Sequence, residues 1–146
     1  MTSLGFTGSR SGPTIGQIAA VETLLVSYQP TSVHHGDCVG ADEWFHETVI
    51  ASCRKHKSLI HIHPPIDPKY RAWCEKLGSR DRMVIHEPLP YLKRNQRIVD
   101  FSHVLVACPS TNKEVVRSGT WATVRRARDK GIRIHIVYLN GNISLE

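Results

Sequence analysis

The chain predicts an α/β fold, with a mostly parallel sheet covered by helices on both faces, and three observations carry that prediction. Short β-branched apolar runs alternate with longer segments whose apolar residues recur at helical spacing. Three of the candidate strands lead into glycine-bearing turns, where the ligands of such sheets collect. The run His103-Val104-Leu105-Val106-Ala107 is almost wholly apolar and ends at Cys108-Pro109, as a strand buried on both faces would.

Residues 3–7 read as the first strand and Gly8 to Gly12 as a flexible turn. A helix then begins near Pro13, with Thr14 and Gln17 at capping-box spacing and Ile18, Val21, Leu25 and Tyr28 as its apolar stripe. Pro30 closes it. Residues 32–35 form a second strand, and a helix over 41–55 carries Ala41, Phe45, Val49 and Cys53 on one face. Residues 58–63 make a third strand, after which Pro64, Pro65 and Pro68 open a long excursion over 64–82 with a short helix at 70–77. A short strand over 83–86 precedes a helix over 92–101, which is expected to turn Ile98 and Phe101 inward and Arg94 and Arg97 elsewhere. The strand at 103–107, a helix over 120–130 stopped by Gly131, and a last strand over 133–138 complete the chain. In that last strand Ile134, Ile136 and Tyr138 alternate with Arg133, His135 and Val137.

A length of 146 residues with 40% apolar content suits a single domain spanning 1–146. No run approaches the roughly 18 apolar residues that cross a bilayer, and residues 1–11 lack the charged start and apolar stretch of a secretory signal, so a cytoplasmic protein is expected. Cys38, Cys53, Cys74 and Cys108 are widely spaced and read as free thiols. The net charge of +6 favours an anionic partner without choosing its kind. Arg117, Arg125, Arg126, Arg128, Lys130 and Arg133 crowd one late segment, where a solvated helix face explains most of them.

Three turns could carry chemistry. In the first, Gly8-Ser9-Arg10 offers close backbone approach to a phosphate, a hydroxyl and a bidentate guanidinium; a plain Gly-Ser turn is the alternative. In the second, His35-Gly36-Asp37-Cys38-Val39-Gly40-Ala41-Asp42, Asp42 opens a helix and can either cap it or, like Asp37, bind a ribose hydroxyl. In the third, Arg117-Ser118-Gly119-Thr120 places free amides, hydroxyls and a helix dipole where an anion would sit. The helix carrying Arg94 and Asn95 should meet that helix start beside the end of the 103–107 strand and supply opposing charge. Trp121 is the first candidate to stack on a base, followed by Tyr70 and Trp73 of the excursion, with Trp44 and Tyr91 also possible. Of nine histidines, His61 and His63 share one strand face as some metal ligands do, but no spacing completes a set, so no metal and no cofactor is expected. His35 or His63 at a strand end could touch a ligand phosphate or base.

The stretches GFTGSR, HGDCVGADEW, LKRNQRIVDFSHVLVACP and SGTWATVRRARDKGI together resemble the SLOG superfamily of Rossmann-like three-layer proteins, over most of the chain. That superfamily includes the Lonely Guy phosphoribohydrolases, the DNA-processing protein DprA and YspA-type single domains; Gly40-Ala41-Asp42 and Arg94-Asn95 are most similar to the last. The resemblance implies a pocket for a nucleotide-derived ligand and places the Lonely Guy catalytic arginine on Arg94. It also places the two Lonely Guy glutamates on Ala122 and Thr123, neither of which can steady an oxocarbenium-like centre.

The expected function is therefore binding of a phosphorylated nucleotide derivative, of the ADP-ribose or cyclic-nucleotide kind, to sense or sequester it. Gly8, Ser9, Arg10, His35, Gly36, Asp37, Gly40, Asp42, Arg94, Asn95, Arg117, Ser118, Gly119, Thr120 and Trp121 would form the site. Two other readings stand beside it: an N-glycoside hydrolase of nucleoside monophosphates in which Arg94 assists, and DprA-like binding of single-stranded DNA. A homo-oligomer is the expected assembly, and a membrane is not an expected partner.

Overall fold

The computed structural model describes residues 1–52 and 58–146. Seven strands form one sheet in the order β4-β3-β2-β1-β5-β6-β7. They are β1 (Ser3–Gly8), β2 (Ser32–His35), β3 (Leu59–Ile62), β4 (Met83–Ile85), β5 (Val104–Cys108), β6 (Arg133–Val137) and β7 (Ile143–Leu145). All pairs are parallel except β6 with β7. Helices α1 (Ile15–Tyr28) and α2 (Ala41–Ser52) pack on one face, where Val21, Leu25, Phe45 and Val49 meet Leu4, Phe6, Ile60 and Val106. Helices α3 (Tyr91–Asp100) and α4 (Gly119–Lys130) pack on the other, joining Ile98, Trp121 and Val124 to Leu105 and Ile134. This is a Rossmann-like three-layer fold.

Local signals set most boundaries. Thr14 and Gln17 form the reciprocal capping box of α1, and Gln17 is also buried, donating to the carbonyls of Pro109 and Val137 at 2.9 and 3.0 Å. Gly131, in the left-handed region at φ 79°, ends α4. The predicted end of α2 at 53–55, with Cys53, lies outside the described residues; Cys38, Cys74 and Cys108 are free and buried.

Four expectations need correction. Arg94 is buried, whereas Phe101 is 46% exposed, because α3 ends at Asp100 and its C-cap residue projects past the core. The excursion over 64–82 holds three separate 3-10 turns (Pro68–Tyr70, Cys74–Lys76, Arg80–Arg82) in place of one helix at 70–77. Trp73 at φ 58° and Gly78 at φ 107° interrupt any longer helix there. Strand β6 ends at Val137 and is buried on both faces from Ile134 onward, so the apolar-polar alternation did not mark a solvent side. The reason is α1, whose Tyr28 hydroxyl meets His135 Nε2 at 2.6 Å and whose apolar residues share a core with Val137; β7, unpredicted from sequence, extends the sheet beyond β6 by pairing Ile143 with Val137 and Leu145 with His135.

Candidate functional site

The chain runs outward from β1 through β2, β3 and β4, then crosses back to β5 on the other side of β1. The carboxyl ends of β1 and β5 thus mark a topological switch point, where open α/β sheets form ligand crevices. A cavity of about 620 Å³ opens there.

Its floor is the first turn. Ser9 donates its backbone N–H to the Cys108 carbonyl at 3.1 Å and accepts from the Ala41 amide at 2.9 Å, which fixes the turn against β5 and the start of α2. Gly40, at φ 90°, lies so close to the Arg10 backbone that a side chain there would overlap it. Gly40 therefore holds the first two turns together and does not itself line the cavity. Arg10 stacks its guanidinium 3.9 Å from the centre of the Tyr70 ring, bringing the excursion over the opening alongside Lys69 and Asp67.

Across the cavity stands the start of α4. Ser118 caps the helix by accepting from the Trp121 amide at 3.2 Å, which leaves the first amides, at Gly119 and Thr120, without helical partners. Arg117 is exposed, lines the cavity and makes no ion pair among the described residues. The opening thus carries cationic side chains from three segments, the last of which also supplies helix-start amides.

The deep wall is more constrained. Arg94 donates through Nη1 to the Gly36 carbonyl and to the His63 carbonyl at 3.3 Å, and through Nε to Oδ1 of Asn95 at 2.8 Å. It therefore ties the ends of β2 and β3 to α3, and only Nη2, near the Cys38 sulfur at 3.9 Å, is left to face a ligand. Asp42 is buried beside it. Its Oδ2 accepts a long bond from the Cys38 amide at 3.3 Å, while Oδ1 has no hydrogen-bond partner among the described residues. Burial raises its pKa to about 7, with Arg94 and the Cys38 amide pulling the other way. The Cys38 thiol, pushed up to about 11 chiefly by burial, is a neutral wall group and not a nucleophile.

Of the residues expected in the site, Gly8, Ser9, Arg10, Gly36, Asp42, Arg94, Asn95, Arg117, Ser118, Gly119 and Thr120 line the cavity, and His35, Asp37, Gly40 and Trp121 do not. Trp121 is 2% exposed in the core under α4, its indole N–H donating to Thr111 Oγ1 at 3.0 Å, so it offers no face to a base. Asp37 accepts from Arg71 Nε at 2.9 Å and the Cys74 amide at 2.8 Å, anchoring the excursion. His35 lies in a closed relay. It accepts the Asp37 amide on Nδ1 and so donates from Nε2 to His46 Nδ1 at 2.9 Å, and His46 in turn donates to the Leu77 carbonyl at 2.8 Å. His35, His46 and Cys74 are near enough to share an ion, but each imidazole nitrogen is already used and all three residues are fully buried.

Lys69 and Val115, which also line the cavity, were not signalled by any motif; Lys69 sits in the 3-10 turn Pro68–Tyr70 and Val115 on an irregular segment, and only the fold defines the path of either. Tyr91 and Tyr70 are the aromatic side chains presented to the cavity rim.

The X-ray structure of TM1055, a structural-genomics target, aligns with this chain at a TM-score of 0.55 and 14% identity, covering 92% of this chain and 72% of that one. The likeness is one of fold. No family model and no curated protein matches the sequence.

Proposed function

We propose that the cavity binds a nucleotide-derived phosphorylated small molecule, of the ADP-ribose or cyclic-nucleotide kind, and serves to sense or sequester it. The observation that carries this reading is the facing of two anion-ready elements across one cavity: the Gly8-Ser9-Arg10 turn and the Ser118-Gly119-Thr120 helix start. Arg10, Lys69 and Arg117 add charge at the rim, and Tyr70 and Tyr91 supply ring faces for a base. The resemblance to the SLOG superfamily supports the same ligand class, and with it a homo-oligomeric assembly. The test is thermal shift of purified protein with ADP-ribose, AMP and cyclic AMP, together with mass spectrometry of small molecules released on denaturation. Stabilisation by at least one of them, or a retained nucleotide derivative, is expected; neither being seen would refute the reading.

One observation favours a second reading, hydrolysis of an N-glycosidic bond. Asp42 presents an unpartnered carboxyl oxygen with a pKa near neutrality in the cavity wall, and so could replace the acids absent at positions 122 and 123. Release of free base from nucleoside monophosphates by the wild type, lost in Asp42→Asn, would establish turnover. The DNA-binding reading draws little from α4, where Arg125 and Arg128 are paired with Glu114, Arg128 also with Glu146, and Lys130 with Asp100.

A further inference from the structure

Four of the nine histidines stand together on one sheet face; none of them lines the cavity, although the backbone carbonyl of one, His63, accepts from Arg94. His34 on β2 and His61 on β3 are register partners, and their rings stack with centroids 4.3 Å apart. One step further along, His63 after β3 and His86 after β4 stack at 4.2 Å. The two stacks are joined by two diagonal contacts of the same kind, each reaching two residues ahead on the next strand. His34 Nδ1 meets His63 Nε2 at 2.9 Å, and His61 Nδ1 meets His86 Nε2 at 2.9 Å.

This face is open because of the connections around it. The crossover from β3 to β4 contains no α-helix, and its Cys74 and Leu77 pack into the core on the opposite face. Phe101, the C-cap of α3, lays its ring 5.7 to 5.9 Å from those of His34, His63 and His86, and Arg94 of the same helix holds the His63 carbonyl. His34 and His63 are 2% exposed, whereas His61 and His86 are half-buried and reach solvent.

We propose that His61 and His86 form a binding site for a divalent copper- or nickel-type ion, which would staple the edge strand β4 to β3. Two nitrogens 2.9 Å apart subtend about 90° at an ion held by bonds of about 2.0–2.1 Å, whereas tetrahedral coordination would need about 3.3 Å. A right angle is the cis angle of the square-planar or tetragonal sites that Cu²⁺ and Ni²⁺ prefer, and imidazole is a ligand both accept. The two inner nitrogens now share one proton. When the ion enters, that proton moves to an outer ring nitrogen, His61 Nε2 or His86 Nδ1, and neither of these has a protein partner among the described residues. Both rings then coordinate as neutral imidazoles with no net proton loss, and water fills the remaining positions. The His34–His63 pair, out of solvent, keeps its hydrogen bond and holds the other two rings in place by stacking.

The test is calorimetric titration of untagged, chelator-treated protein with Cu²⁺, paired with electron paramagnetic resonance of the bound ion. The wild type is expected to bind one equivalent with nitrogen splitting from two imidazoles and to melt higher with the ion than without. His61→Ala and His86→Ala, checked for fold by circular dichroism, each weaken binding at least tenfold and abolish the melting shift; His103→Ala, an exposed imidazole outside the array, leaves both unchanged. Absence of binding by the wild type, or binding as tight as the wild type's in either His61→Ala or His86→Ala, overturns the proposal.

Discussion

Gly40 sits directly against the main chain of Arg10, close enough that even a methyl group would collide with the Arg10 carbonyl. The phosphate-ready turn after β1 is thus shaped by a residue of the second turn, through backbone contact and not through any side chain. Gly40→Ala adds both a clash and an unfavourable φ of 90°; a loss of about 2 kcal/mol or more is expected, since left-handed strain alone costs about 1–3 kcal/mol. Chemical denaturation reads the stability, and ligand binding at the displaced turn should fall with it.

Arg117 and Arg94 should separate binding from folding. Arg117 is exposed and unpaired among the described residues, so Arg117→Ala should lower affinity for a phosphorylated ligand about tenfold with little change in melting temperature. Arg94→Ala leaves the Gly36 and His63 carbonyls without their buried donor, and should destabilise the protein by about 2–4 kcal/mol. Denaturation midpoints and calorimetric titration of the two variants provide the comparison.

Asp42 gives stability a pH signature. Its pKa is raised from 3.8 to about 7 in the folded protein, so the fold binds this proton more tightly than the unfolded chain does. Its contribution is fully present below about pH 4 and is lost as pH rises through about 7. Asp42→Asn cannot ionise. Relative to the wild type, the variant should gain stability by a few kcal/mol as pH rises from about 4 to about 7, since each pKa unit corresponds to about 1.4 kcal/mol. Parallel urea curves across that range would contradict the assignment.

The buried histidines impose the opposite slope. Burial, foremost, lowers His34 to about 3 and His63 to about 2, and holds His35 well below its ordinary value. Unfolding near pH 5 should therefore take up about two protons or more net, after the one that Asp42 releases. The stability these groups confer is present above pH 6.5 and drains away as pH falls below it. Denaturation midpoints at pH 7, 6 and 5 measure the slope; a flat profile would contradict neutral burial of this array.

Elements governed by nearest neighbours were legible in the sequence. The Thr14–Gln17 capping box, the Gly131 stop, the apolar β5 run and the α2 stripe of Ala41, Phe45 and Val49 all act within a few residues, and all stand where their spacing indicated. The three turns that meet at the switch point were legible for the same reason, since glycine and hydroxyl residues after a strand act locally. The strand β7 was not, because a short Ile-Ser-Leu segment becomes a strand only when β6 offers it hydrogen bonds.

Side-chain fate at the site depended on contacts across the chain. Arg94 looks like a surface arginine in its own helix, yet carbonyls 58 and 31 residues away draw it inside. Trp121 looks like a platform beside a helix start, but α4 turns it into the core against Leu105 and Ile134. The partners of His61 and His63 come from β2 and from the residue after β4, so no one-dimensional spacing could assemble them. What the sequence determined by itself was the succession of elements and the anion-ready turns, because hydrophobic periodicity and capping act over short chain distances. Tertiary structure alone decided which polar groups are buried, which are left unpartnered and which stand side by side, because burial and hydrogen-bond satisfaction are settled only when distant segments exclude water together.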